Sequence, residues 1–451
     1  MSSPFPFEVL LVFGFLSIML LGGAALRANV PLFQRFLIPA CLIGGLLGLV
    51  LVSTGLAPAP VAALEAFAYH LFNISFISVG LTPGVRNRPG GRGAMLRGPL
   101  WMALVEGVTF PLQAVIGGVG VIVFGWFGVN LFSTFGFFAP LGFTEGPGQA
   151  LSIGKVWEGF GFANAATIGL AFAAVGFFFA FFVGVPLVSW GMRRGLAAGA
   201  GRLDNDVLKG IVDRHRARES AGQLTMHSGN VDTLAFHLAL VGLVYMLTYA
   251  AVYGLGKILP GDAAKILWGF FFFFGMGIGL LIRRLMEWLG IGHLLDEGIQ
   301  RRLTGWSVDY MILATVAAIQ VPVVWQYFVP ISVMCLLTGV LTTGVVVFLG
   351  RRLDGFNLER TVAIYGTVTG TVSTGLLLLR IADPEFETPV AMEIGLMNVI
   401  VTPIIAGSMV LVNAPVWWHW SVGLTSLVFA AIGLACLVLI RLLKFWGPRR
   451  I

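Results

Sequence analysis

Long apolar runs recur along the whole chain and predict most of its secondary structure. Each of eleven runs is about 20 residues long, which is the length of a helix that crosses a bilayer. Lipid cannot satisfy free backbone N–H and C=O groups, and runs of this length exclude the alternating strands of a membrane barrel. The sequence therefore predicts an all-α polytopic membrane protein. The predicted spans lie near 8–26, 34–53, 62–82, 99–125, 162–191, 233–256, 264–282, 306–325, 328–349, 389–411 and 419–443.

Two further apolar segments, 131–155 and 358–384, are interrupted by glycine and hydroxyl residues. The first contains "PLGFTEGPGQALSIGK", in which Glu145 and Pro147 stand among Gly142, Gly146 and Gly148. Glycine and proline weaken a helix, and an acid is costly in lipid, so a continuous crossing is not expected here. Each segment is long enough for two half-length helices with a turn between them. We predict a re-entrant helical hairpin in both places.

The basic residues lie mainly in short loops and predict the orientation of the chain. With the amino terminus outside, the clusters fall in the cytoplasm, whereas opposite loops such as "STGLAPAP" carry no basic residue. Only Lys257 and Lys265 depart from this pattern. The net charge of +7 is therefore assigned to topology and not to nucleic acid binding. The cytoplasmic clusters are Arg27 and Arg35; Arg86, Arg88, Arg92 and Arg97; Arg193, Arg194, Arg202, Lys209, Arg214, Arg216 and Arg218; Arg283, Arg284, Arg301 and Arg302; Arg351 and Arg352; and Lys444, Arg449 and Arg450.

The order of elements repeats, with four spans, an interrupted segment and one further span in each half. "ATIGLA" (166–171) and "MEIGLM" (392–397) share an Ile-Gly-Leu core, and the same offset of 226 residues places "EGPGQ" (145–149) on "TVSTG" (371–375). Under the charge assignment the two hairpins enter from opposite sides, so the halves are inverted, as in many secondary transporters. We divide the chain into a first repeat (1–191), a cytoplasmic linker (192–232), a second repeat (233–411) and an additional carboxyl-terminal helix with its tail (412–451).

The interrupted segments are the predicted binding site. Irregular backbone at membrane depth is tolerated only where it is buried in protein or lines a water-filled cavity. Its free carbonyls suit a cation such as Na⁺, and the amino ends of half-helices suit an anion. Glu145 is a candidate cation ligand or proton carrier. The predicted substrate- and ion-binding residues are Thr144, Glu145, Gly146, Gly148, Gln149, Gly366, Thr367, Thr369, Gly370, Thr371, Ser373 and Thr374.

Other polar residues in the spans are weaker candidates. Asn73, Asp309 and Asn398 are candidates for lining the cavity, with packing, interhelical hydrogen bonds or an interfacial position as alternatives. The acids Glu106 and Glu393 are further candidates, with an interfacial position as the alternative for Glu393. Lys155 either contacts a substrate carboxylate or lies at the mouth of its hairpin. Runs of small residues also serve close helix packing alone, and that alternative stays open for both interrupted segments.

The sequence shows no pattern that points to an enzyme or a bound cofactor. The cysteines, Cys41, Cys335 and Cys436, lie far apart in apolar runs, and the six histidines have no metal-ligand spacing. No Ser/His/Asp set and no glycine-rich nucleotide loop occurs. We therefore expect no enzymatic activity and no cofactor other than a coupling ion.

Three stretches resemble the bacterial glutamate–sodium symporter family, which is related to the 2-hydroxycarboxylate carriers. They are "FLIPACLIGGLLGL" (36–49), "FISVGLTPGVRN" (76–87) and "GFANAATIGLAFAAVGFFFAFFVGVPLVSW" (161–190). The resemblance implies sodium-coupled symport of glutamate or a related small carboxylate across the bacterial cytoplasmic (inner) membrane. It also implies a homodimer, in which a mobile domain with the hairpins moves past a scaffold; we assign spans 1, 2, 6 and 7 to that scaffold.

The hairpins depart from the family pattern. The family's first hairpin carries a Gly-Gly-His-Gly-Thr type of motif; here Gly146 and Gly148 match its glycines, but Pro147 replaces the histidine and Gln149 the threonine. In the second hairpin Gly370 and Thr374 fit, within a threonine-rich run. The resemblance thus bears on the fold more directly than on the substrate. Two alternatives stay open: a proton-coupled carrier or exchanger that uses Glu145 or Asp309, and a membrane receptor that does not transport.

Overall fold

The computed structural model describes residues 7–57, 59–82, 94–198, 205–216, 220–259, 264–265, 267–353, 355–384 and 388–447. These ranges are helical and contain no strand, which confirms the predicted all-α class. Parts of the predicted linker and of the basic loops lie outside the described residues. The predicted cytoplasmic arginines among them are Arg86, Arg88, Arg92, Arg202, Arg218, Arg449 and Arg450.

Eight numbered helices form the first half of the chain. The short helices Pro31–Arg35 and Asn205–Lys209 connect elements and are not numbered. The numbered helices are α1 (Glu8–Asn29), α2 (Ala40–Ser53), α3 (Val61–Leu81), α4 (Ala94–Trp126), α5 (Phe138–Phe143), α6 (Pro147–Glu158), α7 (Ala165–Phe182) and α8 (Gly184–Arg193).

Eight more helices form the second half. The short helices Val321–Gln326 and Ala414–Trp417 again serve as connections. The numbered helices are α9 (Thr233–Ile258), α10 (Phe271–Trp288), α11 (Glu297–Ala317), α12 (Phe328–Gly350), α13 (Asn357–Thr369), α14 (Val372–Ala382), α15 (Val390–Leu411) and α16 (Val422–Leu442).

Nine helical spans within the described ranges are long and apolar enough to cross a membrane. One of them joins α7 and α8 across Val183. Of the eleven predicted spans, the two that fall short are α2, with 14 residues, and α11, with charged residues in its first turns. A 14-residue helix rises about 21 Å, less than the apolar thickness of a bilayer. The architecture is that of a polytopic membrane protein, and the count of eleven stays a prediction.

One set of helices, which we name the α1 group, consists of α1, α2, α3, α9, α10 and α11. Glycines allow its helices to touch: a Cβ atom on Gly45 of α2 would lie 2.7 Å from Val316 Cβ of α11. A Cβ atom on Gly80 of α3 would lie 2.5 Å from the Met276 carbonyl oxygen of α10. Such close backbone approach is a common mode of helix packing in membranes. The predicted scaffold spans 1, 2, 6 and 7 (α1, α2, α9 and α10) all belong to this group, together with the third and eighth spans.

The remaining membrane helices pack around α4 and α7, and we name them the α4 group. It contains α4 to α8 and α12 to α16, and therefore both interrupted segments. Helix α16 packs on α4, where a Cβ atom on Gly107 would lie 2.9 Å from Cys436 Sγ. Helix α12 contacts α4 on another side, where a Cβ atom on Gly120 would lie 2.7 Å from Met334 Cε. The α4 group thus contains the twelve residues that the sequence predicts to bind substrate and ion.

Candidate binding site at two helix breaks

The first interrupted segment is a helix, a break and a second helix. Helix α5 ends at Phe143, α6 begins at Pro147, and residues 144–146 form the first break. Proline suits the first helical position because the missing N–H has no partner there. Gly146 has φ +83°, in the left-handed region that glycine adopts without strain. The glycine and the proline together explain why the helix stops and restarts here.

The second interrupted segment has the same form. Helix α13 ends at Thr369, α14 begins at Val372, and residues 370–371 form the second break. The Thr371 hydroxyl caps α14 by accepting from the Thr374 backbone N–H at 3.4 Å. The two helices fold back on each other, since a Cβ atom on Gly366 would lie 2.7 Å from Gly375 Cα.

The two breaks touch each other inside the α4 group. A Cβ atom on Gly146 would lie 2.8 Å from Thr371 Cγ2 and 3.0 Å from the Gly370 carbonyl oxygen. The breaks lie more than 220 residues apart in the chain. The structure therefore brings the two predicted halves of the site together.

Four helix ends converge where the breaks meet. The amino ends of α6 and α14 carry partial positive charge there, and the carboxyl ends of α5 and α13 carry partial negative charge. In the described part of the chain no side chain caps α6. The first N–H groups of a helix lack partners within it, so those of Gly148 and Gln149 are available to an anion. The site offers donors to an anion and carbonyl oxygens to a cation.

The side chain of Gln113 in α4 joins the two interrupted segments. Its Nε2 donates to the Val368 carbonyl oxygen of α13 at 3.0 Å and to Thr342 Oγ1 of α12 at 3.3 Å. Its Oε1 accepts from Thr144 Oγ1 of the first break at 2.8 Å. All three side chains are buried. One glutamine therefore fixes both breaks to α4 and α12.

The remaining predicted site residues lie at or beside the breaks but differ in exposure. Glu145 is half-buried, Gln149 is buried and Ser373 is exposed. Gln149 Oε1 has no hydrogen-bond partner among the described residues. The hydroxyls of Thr367 and Thr369 donate within α13, to Ala363 and Tyr365 carbonyl oxygens at 3.0 and 2.6 Å.

The three weaker candidates lie on helices that flank the site. Asn73 is buried in α3 and donates to the Tyr69 carbonyl oxygen at 2.9 Å. Asn398 donates to the Ile394 carbonyl oxygen of its own helix α15 at 2.9 Å. Asp309 is exposed on α11, in the α1 group. The hydrogen bonds of the two asparagines are thus local, and Asp309 lies in the other packing group from the breaks.

Two of the candidate charged residues form ion pairs. Glu393 of α15 accepts two hydrogen bonds from the Arg360 guanidinium of α13, at 2.7 and 2.6 Å. Lys155 of α6 lies 2.7 Å from Glu65 of α3 and 2.9 Å from Glu158. Lys155 is therefore engaged at the boundary between the two packing groups. These contacts favour the structural alternatives for Glu393 and Lys155.

Glu106 lies on the same side of α4 as Gln113. The two residues are seven apart, which is two helical turns or about 10 Å along the axis. Glu106 is buried, and its Oε2 has no hydrogen-bond partner in the described part of the chain. Glu145 is close enough for the two carboxyl groups to interact electrostatically. A carboxyl group without a partner in a membrane interior is a candidate for binding a proton or cation.

Gln113 and Thr342 are missing from the residues that the sequence predicts. Each is one of a few polar residues in a mainly apolar span, and such residues often serve only interhelical hydrogen bonding. A helical projection gives one signal, because Gln113 shares a face with the acid Glu106. Nothing in the sequence indicates that the face points at the breaks.

Comparisons with known proteins assign no family to the chain. No protein-family model matches it, and no curated protein is similar enough to count as a relative. Among the described residues no group of three or more His, Cys, Asp and Glu side chains is placed to hold a metal ion. The function must therefore be inferred from the helix breaks and their surroundings.

Proposed function

We propose that the protein is a secondary active transporter that carries a small carboxylate, glutamate or a related acid, together with Na⁺. The observation that supports this most is the contact between two helix breaks inside a polytopic membrane protein. Broken helices of this kind bind solute and coupling ion in many secondary transporters. The resemblance of three stretches to glutamate–sodium symporters supports the substrate class.

The ends of the broken helices supply both kinds of ligand. A substrate carboxylate binds the amino ends of α6 and α14, where the backbone N–H groups of Gly148 and Gln149 are available. The cation binds oxygen atoms at the carboxyl ends of α5 and α13. Opposite charges in adjacent places stabilise each other, so each ligand raises the affinity for the other.

The two packing groups provide the moving parts. In an elevator-type cycle the α4 group carries both breaks past the α1 group, which stays fixed in the membrane. The amino terminus is outside and the carboxyl terminus is inside, in the cytoplasmic membrane of a bacterium. By the same resemblance, two copies associate as a homodimer.

Uptake into proteoliposomes tests the function. We expect an inward Na⁺ gradient to drive accumulation of a labelled acidic amino acid or dicarboxylate. Gly148→Val and Thr371→Val should abolish uptake, because Gly148 packs against the Phe72 ring and Thr371 contacts the first break. Gly344→Ala is the control, since a Cβ atom there meets no atom of the described residues within 4 Å. Unchanged uptake in both site variants would remove the breaks from the transport path.

A proton-coupled carrier of the same fold is the second candidate, and Glu106 is the observation that favours it. Its buried carboxyl group has no hydrogen-bond partner among the described residues and interacts electrostatically with Glu145, so it is suited to carry a proton. Replacing Na⁺ by choline separates the two candidates. Uptake that survives this replacement but stops when the pH gradient is collapsed favours proton coupling.

A further inference from the structure

We propose that the coupling cation binds between Gln113, Thr342 and the Val368 carbonyl, and that the Gln113 amide rotates to admit it. This site rests on the proposed function and gives its coupling ion a place. It includes two side chains, on α4 and α12, that lie outside both interrupted segments.

The Gln113 amide nitrogen marks a place where two acceptor oxygens from different helices converge. It donates to the Val368 carbonyl oxygen at 3.0 Å and to Thr342 Oγ1 at 3.3 Å. Both acceptors are oxygens that point at one positively polarised group. A small cation bound between them would satisfy the same two oxygens.

Rotation of the amide by 180° exchanges its donor and its acceptor. Gln113 Oε1 then faces the Val368 carbonyl and Thr342 Oγ1, so three oxygens point at one place. Without a cation this arrangement is unfavourable because acceptors face acceptors. With a cation it is favourable, and Nε2 donates to Thr144 Oγ1, which now accepts instead of donating. Both states satisfy the amide, so the cation selects between them.

Thr338 provides an independent sign of a ligand at this place. It is one turn before Thr342 on the same face of α12. It is fully buried, and its Oγ1 has no hydrogen-bond partner among the described residues. A buried hydroxyl without a partner costs free energy. The Thr338 hydroxyl is available as a fourth oxygen when the cation is bound.

The electrostatics of the site favour a cation over an anion. Val368 is in the last turn of α13, where the helix dipole places partial negative charge. The proposed ligands are uncharged carbonyl, amide and hydroxyl oxygens. A monovalent cation therefore binds without having to neutralise a formal charge on them.

Thermal unfolding of the purified full chain in detergent, without substrate, tests the site. We compare NaCl with choline chloride at equal ionic strength, because a ligand of the native state raises the unfolding temperature. The wild type should be stabilised by Na⁺. Gln113→Leu and Thr342→Val should weaken the apparent Na⁺ affinity at least about tenfold, equivalent to one lost ligand of about 1.4 kcal/mol. Thr338→Val should weaken it in the same direction.

Two further variants separate a ligand from a structural support. Gln113→Glu keeps an acceptor and adds a charge, so it should bind Na⁺ more tightly than the wild type. Thr343→Val is the matched control, because its hydroxyl bonds to the Gly339 carbonyl and to Tyr365 instead. It should keep the wild-type response to Na⁺.

The outcomes distinguish this proposal from the proposed function. If the Gln113 and Thr342 variants respond to Na⁺ like the wild type while uptake stays sodium-driven, the cation binds elsewhere and this site is wrong. If the wild type shows no sodium-driven uptake, the proposed coupling itself is wrong. Equal loss of affinity in Gln113→Leu and Gln113→Glu would make Gln113 a support and overturn the amide rotation.

Discussion

Arg360 and Glu393 form a buried ion pair between α13 and α15. Their side chains are 9% and 3% exposed, and two hydrogen bonds of 2.7 and 2.6 Å join them. Arg360 also donates to the Gly355 carbonyl oxygen at 2.9 Å. Gly98 of α4 packs against the Glu393 carboxylate, where a side chain would collide with it. The pair fixes the start of α13 to α15.

Removing one member of this pair should be costly. Glu393→Gln leaves the guanidinium buried without its counter-charge and should lower the free energy of unfolding by about 3–5 kcal/mol. Replacing both residues by methionine should cost much less than the two single changes together. Denaturant unfolding in detergent measures this. Glu297→Gln in the exposed pair with Arg301 is the control, with an effect below about 1 kcal/mol.

At the residue scale, the sequence predicts where the backbone needs a glycine or a proline. It does not predict which distant residues come into contact. Gly146 and Pro147 predicted the first break, because one tolerates a positive φ and the other suits the start of a helix. The partners of Gln113 are 31, 229 and 255 residues away in the chain. Only the packing of α4, α12 and α13 brings them within reach of one amide.

At the scale of the element, the second interrupted segment depends on a close contact between its two helices. Gly366 and Gly375 lie on facing sides of α13 and α14. A Cβ atom on Gly366 would lie 2.7 Å from Gly375 Cα and 2.8 Å from the Thr374 carbonyl oxygen. The obstacle is backbone, which cannot move aside as a flexible side chain can.

Gly366→Ala should therefore separate the two helices and destabilise the protein by about 1–3 kcal/mol, as overpacking does elsewhere. Gly344→Ala in α12 should leave the stability equal or slightly higher, since its Cβ atom would have no neighbour within 4 Å in the described part of the chain and alanine favours a helix. Thermal unfolding of both variants checks this. Equal stabilities would mean that the helices are not held at this distance.

The existence of most elements could be predicted from apolar runs, but their ends could not. The predicted span 306–325 is the helix Glu297–Ala317, which begins among charged residues. The apolar run does not include the first residues of this helix because several of them are charged, and charges are tolerated at the end of a membrane helix. The predicted span 162–191 is divided at Val183, three residues before Pro186. Proline lacks an N–H for the carbonyl four residues earlier, so the helix is interrupted there.

At the scale of the whole molecule, polar contacts cross the boundary between the two packing groups. Lys155 of α6 pairs with Glu65 of α3 at 2.7 Å. Gln320, just after α11, donates to Thr167 Oγ1 of α7 at 3.1 Å. In the proposed cycle these bonds must break when the α4 group moves. They stabilise the conformation seen here relative to others.

A covalent link across this boundary should stop transport but not binding. The double variant Glu65→Cys, Lys155→Cys is cross-linked with a short bifunctional thiol reagent. The cross-link should abolish uptake and preserve stabilisation by Na⁺. The native cysteines are buried and should react slowly. Each single-cysteine variant treated with the same reagent serves as the control. Full uptake after complete cross-linking would contradict relative movement of the two groups.

The division into two groups was only partly predictable. The four spans that the sequence assigns to a scaffold, 1, 2, 6 and 7, all lie in the α1 group, but the sequence did not place α3 and α11 with them. Helix α3 joins that group through Gly80, which contacts the backbone of α10, and through Ser78, which donates to Gln300 of α11 at 2.6 Å. Small residues permit contact on any neighbour, so only the assembled structure selects the partner.

The last helix, α16, packs on α4 through Gly107, Gly118 and Gly433. Helix α16 is therefore attached to the α4 group, which holds the two breaks, and not to the α1 group. In the proposed cycle, the distance between a dye fused behind α16 and a second dye on α1 changes each time the α4 group moves. Single molecules could then be followed without labelling any residue near the ligands.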